Sequence, residues 1–182
     1  MKQVKQVWLC AAIAGIIAVT MVFGQSPGPG RGILAPAPPA GSPALYKTAE
    51  ELMTALKAAV EKSPATATST ITVTDEYSIN ILRRGSGASA LTHPGWTELH
   101  YILDGSATFV TGGTLVPAGS PAAGGGGTQQ AQTIQGGVSH HVSKGDAVLV
   151  PAGTPHWYKD VDGAVTYLEV RFIAPHKDDA GK

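Results

Sequence analysis

The sequence predicts an all-β fold, a sandwich or barrel with one helix in front of it. Three observations carry this. From Thr68 onward, short runs rich in Ile, Val and Thr recur with Gly or Pro between them. The chain of 182 residues holds 23 Gly and 13 Pro, a punctuation density that suits many turns and disfavours a helical bundle. Only one stretch, residues 44–63, repeats its apolar residues at helical spacing.

The chain opens with Lys2 and Lys5, an uncharged and mostly apolar run from Trp8 to Phe23, and small Gly24 before Gln25, which is the form of a secretory signal peptide over residues 1–24. Secreted or periplasmic protein is the expectation, with no membrane contact after cleavage. An uncleaved anchor is the alternative, although the run is shorter than the roughly 20 residues of a bilayer span. Cys10, the single cysteine, lies inside this segment, so the mature chain has no disulfide, thiol nucleophile or Cys-based zinc site. Residues 25–43 are too rich in Pro and Gly to bury a core and form a spacer.

An amphipathic helix follows over residues 44–63. Thr48-Ala-Glu-Glu51 has capping-box form, and Ala49, Leu52, Leu56, Ala59 and Val60 mark one face before Ser63-Pro64 ends it. Packing on the outside of the β domain is its expected role. The strand-bearing domain spans residues 68–173, with strands at 69–74, 77–84, 98–103, 107–111, 147–150 and 165–173, and residues 174–182 are a charged tail. Gly112 to Gly137, with four consecutive glycines from Gly124, reads as a long mobile loop inserted between strands.

Thirteen Lys plus Arg against thirteen Asp plus Glu leave no basic excess, and no basic run exceeds Arg83-Arg84. The counterion release that drives nucleic-acid binding is not provided for, so no nucleic-acid partner is expected.

Two clusters carry chemistry. In the first, Gly85 precedes His93-Pro-Gly-Trp-Thr-Glu98, and Gly105 follows. Pro94-Gly95 can turn the chain so that His93 and Glu98 sit on neighbouring strands, and strand alternation puts Glu98, His100 and Ile102 on one face. In the second, Gly145 leads through an apolar strand to Pro151-Ala-Gly153-Thr-Pro155-His156, a rigid turn that fixes where the imidazole of His156 points as the next strand begins. His140-His141 are adjacent, so they point to opposite faces, which favours a surface or strand-edge role.

These residues resemble the cupin superfamily. Its first motif is Gly, five residues, His-x-His, three or four residues, Glu, six residues, Gly, and Gly85, His93, Glu98 and Gly105 fit it. Its second is Gly, five, Pro-x-Gly, two, His, three, Asn, and Gly145, Pro151, Gly153 and His156 fit that. Two positions depart from the pattern: Leu91 stands where the first histidine of the pair belongs, and Asp160 replaces the terminal asparagine. The resemblance implies a cupin-type jelly-roll barrel enclosing one divalent transition metal, Fe, Mn or Zn, on His93, Glu98 and His156. His100 either completes the ligand set or lines the cavity beside the substrate, with cavity lining favoured, and Trp96 and Tyr158 are candidate substrate-wall residues. A homodimer is implied by analogy with other members.

The expected function is metal-assisted chemistry on a small organic molecule, oxygenase- or isomerase-like. The rival is a binding or sensing module that holds a small ligand without turnover, because one fold serves both.

Overall fold

The computed structural model describes residues 34–117 and 128–174; the signal-peptide segment, most of the spacer, the glycine run and nearly all of the charged tail lie outside the described residues. Among the described residues one helix, α1 (Ala49–Lys62), precedes ten strands. Residues 44–48 lie outside the helix, because Thr48 is the N-cap: its hydroxyl accepts from the Glu51 amide at 3.1 Å while the Glu51 carboxylate accepts from the Thr48 amide at 2.8 Å. Leu56 is buried, and with Leu52, Ala59 and Val60 it packs on Ala67, Ile81 and Leu103 on the outside of the sheet.

The strands are β1 (Thr66–Val73), β2 (Tyr77–Arg84), β3 (Ala90–Thr92), β4 (Thr97–Thr111), β5 (Thr114–Val116), β6 (Gln129–Ala131), β7 (Thr133–Gln135), β8 (Val138–Ser143), β9 (Ala147–Val150) and β10 (His156–Phe172). All pairings are antiparallel. β4 and β10 are the frame. They pair along nearly their whole length and change their other partners partway: β4 takes β9 over 98–101 and β8 over 106–111, while β10 takes β2 over 165–172 and meets β3 only at His156. A sheet whose two central strands swap partners in this way must wrap around its own inner face, which makes the jelly-roll barrel.

The bend lies at Gly105. The β4–β10 register shifts between Val161 and Val165, and a Cβ on Gly105 would stand 1.8 Å from the Ala164 carbonyl oxygen. Gly105 also has φ +76°, so no other residue fits without strain. This explains why 98–103 and 107–111, expected as two strands, form one: glycine bends the strand without ending it.

Inside the barrel, Leu82, Ile102, Ala107, Phe109, Val142, Val150, Tyr158, Val165 and Tyr167 form the core. The segment 112–137 is not one continuous loop. Its described ends form strands, β5 pairing with β7 and β6 pairing with β3. The sequence hides them because each is three residues long and polar or glycine-flanked. β8, on the edge of β4, carries His140 and His141, both exposed.

Candidate metal centre

The site is built where the two turns meet. After β3 the chain turns through Pro94-Gly95, with the Trp96 amide donating to the His93 carbonyl at 3.2 Å. The Pro151–Gly153 turn closes with the Thr154 amide on the Pro151 carbonyl at 3.0 Å, and the Gly153 amide reaches across to the same His93 carbonyl at 3.2 Å. The backbone of one histidine-bearing turn is thus bonded to the other, so His93 and His156 are fixed relative to each other before any ion is considered.

β3 and β4 are not hydrogen-bonded neighbours; both pair with β10, so His93 and Glu98 approach across the barrel interior rather than along adjacent strands. Glu98 lies on β4 between Arg171 of β10 and Val150 of β9. Alternation turns Glu98, His100 and Ile102 inward, at 1%, 2% and 0% exposure.

His93, Glu98 and His156 offer ligand atoms within 4.8 Å of one another. His93 Nε2 lies 3.7 Å from Glu98 Oε1, and His156 Nε2 lies 3.6 Å from Glu98 Oε2. The tautomers suit ligation. His156 Nδ1 is 3.0 Å from the Thr154 carbonyl, which can only accept, so the proton sits on Nδ1 and the Nε2 lone pair faces Glu98. His93 Nδ1 is 2.8 Å from Thr128 Oγ1, and its Nε2 is buried with no hydrogen-bond partner. A buried polar atom without a partner is costly, and a cation at this point would satisfy it.

Electrostatics agree with that arrangement. Burial, with help from Arg171 and His156, holds His93 down to about 3. Burial also lowers His156, against the pull of Glu98. Both rings are therefore neutral, the form that donates to a metal. Burial raises Glu98, opposed by His156 and the arginines.

His100 does something different. Its Nε2 lies 3.2 Å from Glu98 Oε2 and its Nδ1 3.2 Å from the Tyr158 hydroxyl. An ionised carboxylate only accepts, so Nε2 donates to Glu98 and Nδ1 accepts from Tyr158 O–H. His100 groups with Glu98 and Glu169, not with His93 and His156. The ring is stacked on Tyr167 with centroids 4.9 Å apart, and burial lowers it to about 4. In this geometry His100 braces Glu98 and is not grouped with His93 and His156.

The position of the missing histidine is filled by Leu91, which lines a void of about 10 Å³ together with His93, His100 and His156. Such a void has room for one water or one ion. Tyr158 and Trp157 line it too, the Trp157 indole N–H bonding to the Ala88 carbonyl. Trp96 is half-buried and lines neither this void nor the larger cavity beside it. Asp160 is exposed near Lys159.

Five residues that the motifs do not contain complete the surroundings. Glu169 accepts from Asn80 Nδ2 at 3.1 Å and from Arg171 Nη2 at 3.1 Å, while Arg171 Nε lies 2.8 Å from Glu169 Oε1 as an ion pair not aligned as a hydrogen bond. Arg84 Nε donates to the Tyr167 hydroxyl at 2.8 Å. The signal for these residues was in the sequence. Tyr167, Glu169 and Arg171 alternate with apolar residues on β10, and Asn80 lies between Ile79 and Ile81 on β2, with Arg84 four places on along the same face. Charged residues at every second place of an apolar strand point into the barrel when its other face is covered.

Fold and site together define a class: a small antiparallel barrel with a buried cluster of two histidines and one carboxylate. A family model described as Cupin matches residues 51–177, well over half the chain, and the chain belongs to the cupin family. No curated protein matches it in sequence. Among solved structures it is similar to TT1209 from Thermus thermophilus, at 16% identity, covering 72% of this chain and 100% of that one with a TM-score of 0.47. It is also similar to a predicted oxalate decarboxylase from Thermotoga maritima, at 14% identity, covering 60% of this chain and 81% of that one with a TM-score of 0.42. A third is KdgF from Halomonas sp., at 15% identity, covering 65% of this chain and 87% of that one with a TM-score of 0.40.

Proposed function

We propose that His93, Glu98 and His156 hold one divalent transition metal, Fe, Mn or Zn, and that the protein carries out metal-assisted chemistry on a small organic molecule. The observation that carries this is the pair of Nε2 atoms facing the same carboxylate, that of His156 freed by its Nδ1–H on the Thr154 carbonyl and that of His93 buried without a hydrogen-bond partner. Nitrogen and oxygen donors in a two-histidine, one-carboxylate set suit these metals. When bound, the ion would supply Lewis acidity or, if iron, a place for dioxygen.

The chain's own residues do the rest. His100 and Tyr158 hold the Glu98 carboxylate in place through a relay of two hydrogen bonds. Leu91, at the place of the missing histidine, keeps that side apolar, so the protein supplies three ligands and leaves coordination places open. A cavity of about 390 Å³, lined by His93, Leu91, Arg84 and Arg171 among others, adjoins the site and falls within the range of small-molecule pockets, about 300–1,000 Å³. Export is part of the reading, with a mature chain beginning near Gln25 and free of cysteine.

Elemental analysis of the purified protein and of His156→Ala tests the proposal. One metal per chain in the wild type and little in the variant supports it; equal content in both, or none in the wild type after metal-supplemented purification, would reject it. Saturable binding of small carbonyl, phenolic or sugar compounds without product under every metal would assign the protein to the binding and sensing class instead. Intact mass of exported protein checks the start at Gln25.

A further inference from the structure

Arg84 is the least committed charge in the barrel. Its guanidinium lies against two aromatic rings, 5.6 Å from the Tyr158 centroid and 5.9 Å from that of Tyr167, with Nε spent on the Tyr167 hydroxyl. Among the described residues no carboxylate approaches it within 4.0 Å, whereas Arg171 is paired with Glu169 and lies 3.7 Å from Glu98. The aromatic walls fix the plane of the guanidinium and leave its terminal nitrogens to the cavity, a posture suited to gripping a planar or tetrahedral oxyanion.

Both arginines line the same 390 Å³ cavity as His93, so a molecule held by them lies beside the proposed ligand set. The charges point the same way. Among the side chains lining it, Arg84 and Arg171 balance Glu169 and the nearby Glu98 in formal charge. A divalent cation added to that set leaves an excess of two positive charges beside the cavity, which an incoming anion offsets. Asn80, Thr128 and Gln130 add neutral hydrogen-bonding groups to the same wall.

We propose that this cavity takes a small oxyanion, a carboxylate or a phosphate monoester, whose charged end docks on Arg84 beside Arg171. The proposal deepens the metal reading and, for its charge count, rests on it; the arginine geometry does not.

The test is calorimetric titration of the full chain with benzoate, phenyl phosphate and benzamide, three phenyl probes of which the first and last share one shape and differ in charge, with metal content measured on the same samples. At least one anion should bind about tenfold or more tightly than the neutral amide, the scale of a charge-assisted hydrogen bond. The anion that does so tells carboxylate from phosphate. Arg84→Met should bring the ratio close to one while metal content stays as in the wild type, and Arg84→Lys, a second variant that keeps the charge, should retain part of it. Equal binding of anion and amide, binding of none of the three probes, or a full preference surviving in Arg84→Met would overturn the proposal. Anion preference in a protein that holds no metal would uphold the Arg84 subsite and remove the metal reading; full metal with no preference would do the reverse.

Discussion

His100 shows how much one proton position decides. Two residues after Glu98 and on the same face, it has the spacing of a metal ligand, yet its Nε2 lies 3.2 Å from the Glu98 carboxylate and its Nδ1 faces the Tyr158 hydroxyl. Its lone pair is thereby spent on Tyr158, whereas His156 keeps its lone pair on Nε2 and the Nε2 of His93 has no hydrogen-bond partner. Removing either of these two should therefore lower metal affinity more than about 100-fold, whereas His100→Phe removes only an outer partner and should cost about tenfold, leaving a metal-bound protein. Metal titration of the three variants at one pH checks the order; a metal-free but folded His100→Phe would reverse the assignment. The sequence could place His100 on the inner face by alternation but could not choose its role, because that depends on Tyr158, fifty-eight positions away and brought near only by the β4–β10 pairing.

At the scale of elements, the glycine and proline positions did most to make the site legible. Gly105, Gly145 and Gly153 each have φ above +70°, so their spacing records backbone bends that few other residues allow. Gly105→Ala combines a left-handed backbone with a Cβ only 1.8 Å from the Ala164 carbonyl oxygen, and should cost about 3 kcal/mol or more, measured by denaturant unfolding. Thr48→Ala removes one cap from an outer helix and should cost only about 1 kcal/mol in the same assay. A Gly105→Ala loss no larger than that of Thr48→Ala would contradict the claim that β4 must bend there. The capping box and the turns around His93 and His156 were readable because they are local. Glu169, Arg171 and Arg84 were missed because their importance is not local: each belongs to an ordinary apolar strand until β2 and β10 pair and turn the three inward. The polar strand β8 and the short strands β5–β7 lack the apolar alternation by which strands are found.

For the whole molecule, burying three histidines inside one barrel ties stability to pH. Burial holds His93 at about 3 and His100 at about 4, and lowers His156 as well, against an ordinary value near 6.5 in the unfolded chain. The unfolded chain therefore takes up protons first, so this stability is present above pH 6.5 and is lost as the pH falls toward 4. Glu98, raised by burial, acts with the opposite sign, its penalty easing as it protonates at the acid end. The melting temperature of the metal-free protein should fall from pH 7 to pH 5, and a flat or rising profile would show that the histidines are not buried as described. The central claim, that His93 and His156 are placed with Glu98 to hold an ion, is tested most directly by anomalous diffraction from crystals grown with Mn, Fe or Zn. The account predicts one peak about 2.0–2.2 Å from His93 Nε2, His156 Nε2 and the Glu98 carboxylate, with His100 still bonded to Glu98. No peak among these three residues, or a peak held instead by Glu98, His100 and Glu169, would contradict it.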